Sequence, residues 1–311
     1  MPQLKWKSKT LLAKIETTYG VDTVPTGAAN AILATDVTFT PMDGEDVTRN
    51  LERPYLGADP SIPVGVRSTL QFSIELVGSG TLGTAPAWGP LLRACGVAQV
   101  VTAGVKVEYN PITDAHESAS IYFQIDTTRH IMLGTRGNVV FKLNAQGIPV
   151  MVFTMTGLFS TPSEQVKPTV DFTAWQAPQV ATLVNTPTFT IGGSAFILRD
   201  FELDAGNQVE PRMLVGSEAI LIVDKGEKIT ARVEAVPVST YNPYTIAQNQ
   251  TLQALQLIHG TVAAKRVKLD IASAQQGRLA SLENNQNILE WPLPFVPLPV
   301  SGNDQWKITL A

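Results

Sequence analysis

Nine stretches of this 311-residue chain alternate apolar and polar side chains with a period of two: residues 35–40, 69–77, 121–126, 138–143, 150–156, 196–203, 229–236, 266–271 and 306–310. That period turns one face of a strand toward a core and the other toward water. Turn formers fill the gaps, consistent with 23 Gly and 21 Pro against only 16% charged residues. Helical periodicity is confined to 85–95 and 244–259, each opened by a proline near its first turn and closed by Gly96 or Gly260. The expected fold is mainly β with two short helices.

The two helical stretches also suggest an internal repeat. Leu-Leu-Arg-Ala-Cys-Gly at 91–96 follows the apolar pattern of Leu-Gln-Leu-Ile-His-Gly at 255–260, an offset of 164 that also lays Asp36 on Asp200. Further on, Asn144-Ala-Gln-Gly-Ile148 resembles Asn284-Asn-Gln-Asn-Ile288 at an offset of 140, the first copy carrying extra residues over roughly 97–133. The predicted division is an N-terminal arm (1–30), a first unit (31–160), a Pro-containing linker (161–190) and a second unit (191–311). Each unit is expected to be a β-sandwich or barrel with one short helix on its flank.

Composition removes several functional classes. A net charge of -4 supplies no counterion-release drive toward phosphates. A single cysteine, Cys95, excludes an intrachain disulfide, and His116, His130 and His259 lie without metal-ligand spacing. The Gly-rich run 78–83 lacks the Lys-Ser or Lys-Thr of a phosphate-binding loop. Acidic turns at 43–46 and 204–206 lack the alternating oxygen ligands of a calcium loop. No stretch reaches the roughly 18 apolar residues of a membrane span. Neither an enzyme nor a cofactor or metal site is expected.

What the chain does carry is long connections rich in apolar side chains. Residues 43–67 hold Leu51, Arg53, Tyr55, Leu56, Ile62 and Val64, and their counterpart 204–227 holds Met213 and Leu214. Long loops inside compact domains are functional or disordered, and side chains such as these demand burial. They are expected to form contacts between subunits. Trp6 and Tyr19 are expected to do the same from the N-terminal arm.

The segment 12–22, Leu-Ala-Lys-Ile-Glu-Thr-Thr-Tyr-Gly-Val-Asp, followed by Pro25, resembles the opening signature of phage tail tube subunits. The loop 49–54, Pro-Ala-Trp-Gly-Pro-Leu-Leu-Arg-Ala-Cys-Gly at 86–96, Glu-Ser-Ala-Ser-Ile-Tyr-Phe at 117–123, Arg-Gly-Asn at 136–138 and Gly-Leu-Phe at 157–159 are similar to the Mu-like, flexible-tailed (siphovirus-type) branch. The resemblance implies a non-enzymatic virion protein, assembled in the host cytoplasm, whose stacked rings form the conduit for DNA ejection. With two units per chain it implies a trimeric ring of pseudo-sixfold symmetry, a hexamer being the alternative. Implied partners are a tape-measure protein, tail tip or initiator and terminator proteins, and double-stranded DNA passing without sequence recognition. The competing reading is a virion decoration or a receptor- or carbohydrate-binding β-module, which needs clustered aromatics. The five tryptophans, at 6, 88, 175, 291 and 306, are scattered.

Overall fold

The computed structural model describes residues 3–311. The first half runs β1 (Lys9–Ile15), a one-turn helix α1 (Gly27–Asn30), β2 (Ala31–Ile32) and a long hairpin of β3 (Thr35–Thr48) and β4 (Ser61–Glu75). Next come α2 (Gly89–Ala94), the hairpin β5 (Val97–Thr102) and β6 (Lys106–Pro111), and the meander β7 (Ala119–Ile125), β8 (Thr128–Asn144) and β9 (Val150–Phe159), ending in the two-residue β10 (Ser163–Glu164). The second half begins with β11 (Thr188–Ile191), β12 (Ser194–Ala195), β13 (Leu198–Asp204), β14 (Asn207–Leu214), β15 (Ser217–Lys225) and β16 (Lys228–Glu234). It closes with α3 (Pro243–Gln248), β17 (Leu252–His259), β18 (Val267–Gln276), β19 (Glu283–Asn285), β20 (Ile288–Pro297) and β21 (Lys307–Leu310). The protein is mainly β, as its periodicity predicts.

Eight of these strands form one continuous antiparallel run in the order β3-β4-β9-β8-β13-β16-β20-β19. A second layer comes from two groups, β2-β1-β7 and β12-β11-β17-β18-β21-β6-β5. Two long strands pass between the layers. The start of β8 pairs with β7 and its end with β13, while β18, paired with β17 along nearly its whole length, has β21 on its other edge early and β20 late. The sandwich interior is a single apolar cluster spanning both halves. Leu70, Phe72 and Ile74 of β4 face Met151, Phe153 and Met155 of β9, with the Phe72 and Phe153 rings stacked at 5.6 Å. Ile229, Ala231 and Val233 meet Trp291, Leu293 and Phe295 in the same way across β16 and β20.

Three expectations need correction. The helix expected over 244–259 ends at Gln248, where Asn249 closes it and Gln250 turns to a φ of +54°. Residues Leu252–His259 form β17 instead, burying Leu255, Leu257 and His259 at period two between β11 and β18. Pairing on both edges overrides helical propensity there. The end of α2 and the end of β17 are therefore different structures, and the apolar match of 91–96 with 255–260 is not an equivalence. The helix expected over 85–95 is shorter, Gly89–Ala94. Finally, 43–67 and 204–227 are mostly hairpin arms and not loops: β3 and β4 pair out to Thr48 and Ser61, and β14 pairs with β15 from Asn207 to Leu214. Both faces of the outer β3–β4 arm meet water, so the apolar alternation that marks a strand is missing.

Candidate assembly interface

The eight-strand run has two ends, and both are open. Among the described residues β3 pairs with β4 alone and β19 with β20 alone, so one edge of each presents unpaired backbone groups. Pro41 within β3 fits an edge, since proline cannot donate to a ladder. In the middle of the run the two halves already meet edge to edge. There β8 and β13 pair from Asn144↔Asp200 to Val140↔Asp204. The Lys142 ammonium lies 3.0 Å from the Glu202 carboxylate across this seam, and Asn138 Nδ2 donates to Asp204 Oδ1 at 2.7 Å. Phe141, Leu143, Phe201 and Leu203 are all buried along it.

The two hairpins behave differently. The β14–β15 hairpin of the second half lies on the first. Ile220 is buried, with Arg136 Nη1 donating to its carbonyl at 2.8 Å and its own N–H donating to Tyr19 Oη at 2.6 Å. Lys225 Nζ donates to the carbonyls of Gly96 and Ile112, each at 2.8 Å, and burial lowers the ammonium's pKa. Asn207 Nδ2 donates to the carbonyls of Cys95 and Gly137. The β3–β4 arm has no such cover. Ile62, Val64, Val47 and Met42 are exposed along it, and the tip carries exposed Leu51, Tyr55 and Leu56, the last fully solvated.

The structure thus gathers Leu51, Arg53, Tyr55, Leu56, Ile62 and Val64 on one projecting arm, where Arg53 and Asp59 approach to 4.0 Å across the tip. Met213 joins them: its Cγ sits 3.8 Å from where a Cβ on Gly65 would lie, so the two hairpins run side by side. Leu214 is exposed at the tip of the second hairpin. The free edge at Glu283–Asn285 escapes the sequence pattern, for three polar residues carry no strand signal. Its only trace is the turn match at 284–288.

The sequence profile of the family described as phage tail tube protein matches residues 6–288. The chain belongs to the phage tail tube protein family. No curated protein matches it. Membership makes the protein a structural component of the virion tail that assembles with copies of itself and with other tail proteins.

In this tail tube protein the N-terminal signature is built into the sandwich. β1 pairs with β7 along its length. The Glu16 carboxylate then takes four donors: Gly20 N–H and Ser118 Oγ on Oε2, Gly134 N–H and Ser120 Oγ on Oε1. Gly20 supplies a φ of +71° for the turn. The Tyr19 ring lies under the Arg136 guanidinium at 5.0 Å and against Gly134, where a Cβ would fall 2.6 Å from the ring. Asp22 accepts from Tyr122 Oη and from Val24 N–H. All partners of Tyr19 named here lie in its own chain. Trp6, by contrast, is exposed, with Lys9 Nζ 4.1 Å over its ring.

The three histidines and Cys95 of this tail tube protein are held against groups of their own chain. His259 Nδ1 and Thr186 Oγ1 are 3.0 Å apart and Nε2 meets the Gln179 carbonyl at 3.0 Å, while His130 packs edge-on against Phe39 at 4.8 Å. His116 Nε2 reaches the Ile112 carbonyl at 3.0 Å. Burial lowers the pKa of all three imidazoles. Cys95 is fully buried and its thiol is pushed well above its usual range. Among the described residues no three His, Cys, Asp or Glu are grouped to hold a metal ion.

Proposed function

We propose that the protein polymerises head to tail into trimeric rings of pseudo-sixfold symmetry, which stack into the tube that conducts phage DNA into the host. The observation that carries this reading is the eight-strand run, open at both ends and already joined once within the chain by an edge-to-edge seam. Open edges left unpaired are an aggregation hazard, and ring closure removes them.

A two-unit chain is supported by the pairing order. β3-β4-β9-β8 in the first half has its counterpart in β13-β16-β20-β19 in the second. Leu70 pairs with Met155 as Ile229 pairs with Phe295, so β9 lies over β20 at an offset of 140. Three such chains would then supply six similar lobes. Net charge of -4 suits a channel that must not hold phosphates. A tape-measure protein inside the growing tube, a tip or initiator complex and a terminator belong to this reading, as does a flexible, Mu-like tail assembled in the host cytoplasm.

A decoration or carbohydrate-binding role finds less support, since Trp88, Trp291 and Trp306 are core residues and form no exposed platform. Electron microscopy of the purified protein and of virion tails tests the proposal. Stacked rings of three chains with six lobes and an open lumen are expected; six chains per ring, or absence from the tail shaft, would overturn it.

A further inference from the structure

We infer that β3 of one copy pairs antiparallel with β19 of the next, with Thr38 opposite Glu283 and Val37 opposite Asn284. The inference rests on the ring reading and adds the partner strands and their register.

The register comes from following rows of paired residues across the sheet. In the first half one row reads Thr38–Gln71–Thr154, and in the second Glu202–Thr230–Pro294, so Thr38 holds the place of Glu202. Four residues along, the rows Glu75–Val150–Lys142 and Glu234–Glu290–Glu283 put Glu283 in the place of Lys142. The steps from Gln71 to Glu75 and from Thr230 to Glu234 are equal, so both equivalences belong to one alignment. Within the chain, Lys142 stands directly opposite Glu202. Carrying that pair to the two open edges sets Glu283 opposite Thr38 of the neighbour, and the antiparallel direction sets Asn284 opposite Val37.

Side-chain environments agree with the transfer. The internal seam is sealed on its apolar side by Phe141 and Leu203, both buried. At the open edges the corresponding stretch is unsealed, with Phe39 half-buried and Leu282, just before β19, 57% exposed. Pairing would cover both. Nor does the seam juxtapose like charges directly, for Glu283 is ion-paired within its own chain with Arg232 at 2.7 Å and Thr38 is neutral. Residues 277–282 are irregular and lie between the two parts of the strand that pairs with β20. Of their counterparts in β8, residues 136–141, all six pair with β9, and Val140 and Phe141 also pair with β13. Because β3 and β19 are different surfaces, the contact is heterologous and closes only as a ring or runs on as a filament.

The test is a disulfide across the seam in assembled tails, Thr38→Cys with Glu283→Cys, where the buried Cys95 is the only native thiol. Directly opposed antiparallel residues lie within disulfide reach, whereas a two-residue shift does not. Mild oxidation is expected to convert monomer bands into covalent dimers and closed trimers that collapse on reduction. Thr40→Cys with Glu283→Cys, shifted by two, stays monomeric. Should the double variant not assemble, co-expressed single variants give the same bond between unlike chains, as dimers only. Rings whose matched pair cross-links no better than the shifted pair would overturn the seam while leaving the tube intact. Absence of the wild-type protein from the tail shaft would instead overturn the tube reading itself.

Discussion

Tyr19 Oη lies 2.6 Å from the backbone N–H of Ile220, a residue 201 positions further along the chain. The contact ties the turn after β1 to the hairpin of the second half, and Arg136 completes it by stacking on the Tyr19 ring and donating to the Ile220 carbonyl. Burial raises the Tyr19 pKa, so the phenol remains protonated at neutral pH. Tyr19→Phe keeps the ring and leaves the Ile220 N–H without its acceptor. An orphaned amide of this kind costs about 1–3 kcal/mol. Thermal denaturation is expected to show a lower Tm, and hydrogen exchange to speed up at Ile220 more than in β4 or β9.

Acid sensitivity follows from the three histidines. Each is held below its ordinary value of 6.5 by burial, so the unfolded chain binds protons at a pH where the folded chain does not. Stability then falls as pH drops from about 6.5 toward the folded-state values, and levels off below them. His259, set between Thr186 and Gln179, is the most enclosed of the three. Melting curves from pH 7.5 to pH 5 should show a declining Tm, with a shallower decline in His259→Gln. An unchanged slope in that variant would remove His259 from the account.

Much of the sandwich is legible in the sequence because its core strands carry the period of two: Leu70, Phe72 and Ile74, or Ile229, Ala231 and Val233, are spaced as strands require. What is lost is lost for identifiable reasons. β20 contains Pro292, Pro294 and Pro297, which count against a strand, yet it pairs with β16 from Glu290 to Phe295 and with β18 through Pro297. β1 reads as a short apolar run without alternation, because Leu12 packs with Tyr122 and Ala31 on one side while Leu11 and Ala13 enter the main core on the other. The apolar residues of the β3–β4 arm are legible as side chains in want of a partner, but the arm itself is not, for both faces of its outer part meet water. The edge at β19 depends on pairing alone and leaves no compositional mark.

Glu16 offers a sharper test of the N-terminal signature. Its two oxygens each accept one backbone N–H and one serine hydroxyl. In Glu16→Gln one oxygen becomes an amide nitrogen, which faces a donor whichever way the group is flipped. A serine hydroxyl can rotate away; the N–H of Gly20 or Gly134 cannot. The orphaned amide is expected to cost about 1–3 kcal/mol, read as a lower urea midpoint at unchanged m-value. A midpoint equal to the wild type would mean that water replaces the lost acceptor.

The arm tip separates stability from assembly. Tyr55 and Leu56 are exposed, and nothing described in their own chain buries them. Replacing both with serine removes apolar surface from water in the monomer and no packing, so its stability should change by less than about 0.5 kcal/mol per site. If the arm docks on a neighbouring copy, as the β14–β15 hairpin docks within the chain, the same change removes burial worth roughly 1.5–3 kcal/mol per large side chain at every contact in the tube. Tyr55→Ser with Leu56→Ser is therefore expected to melt like the wild type and to form few or no tubes by sedimentation and electron microscopy. Normal tubes from this variant would show that the tip takes no part in assembly, and would move the search for the docking surface inward to Ile62 and Val64.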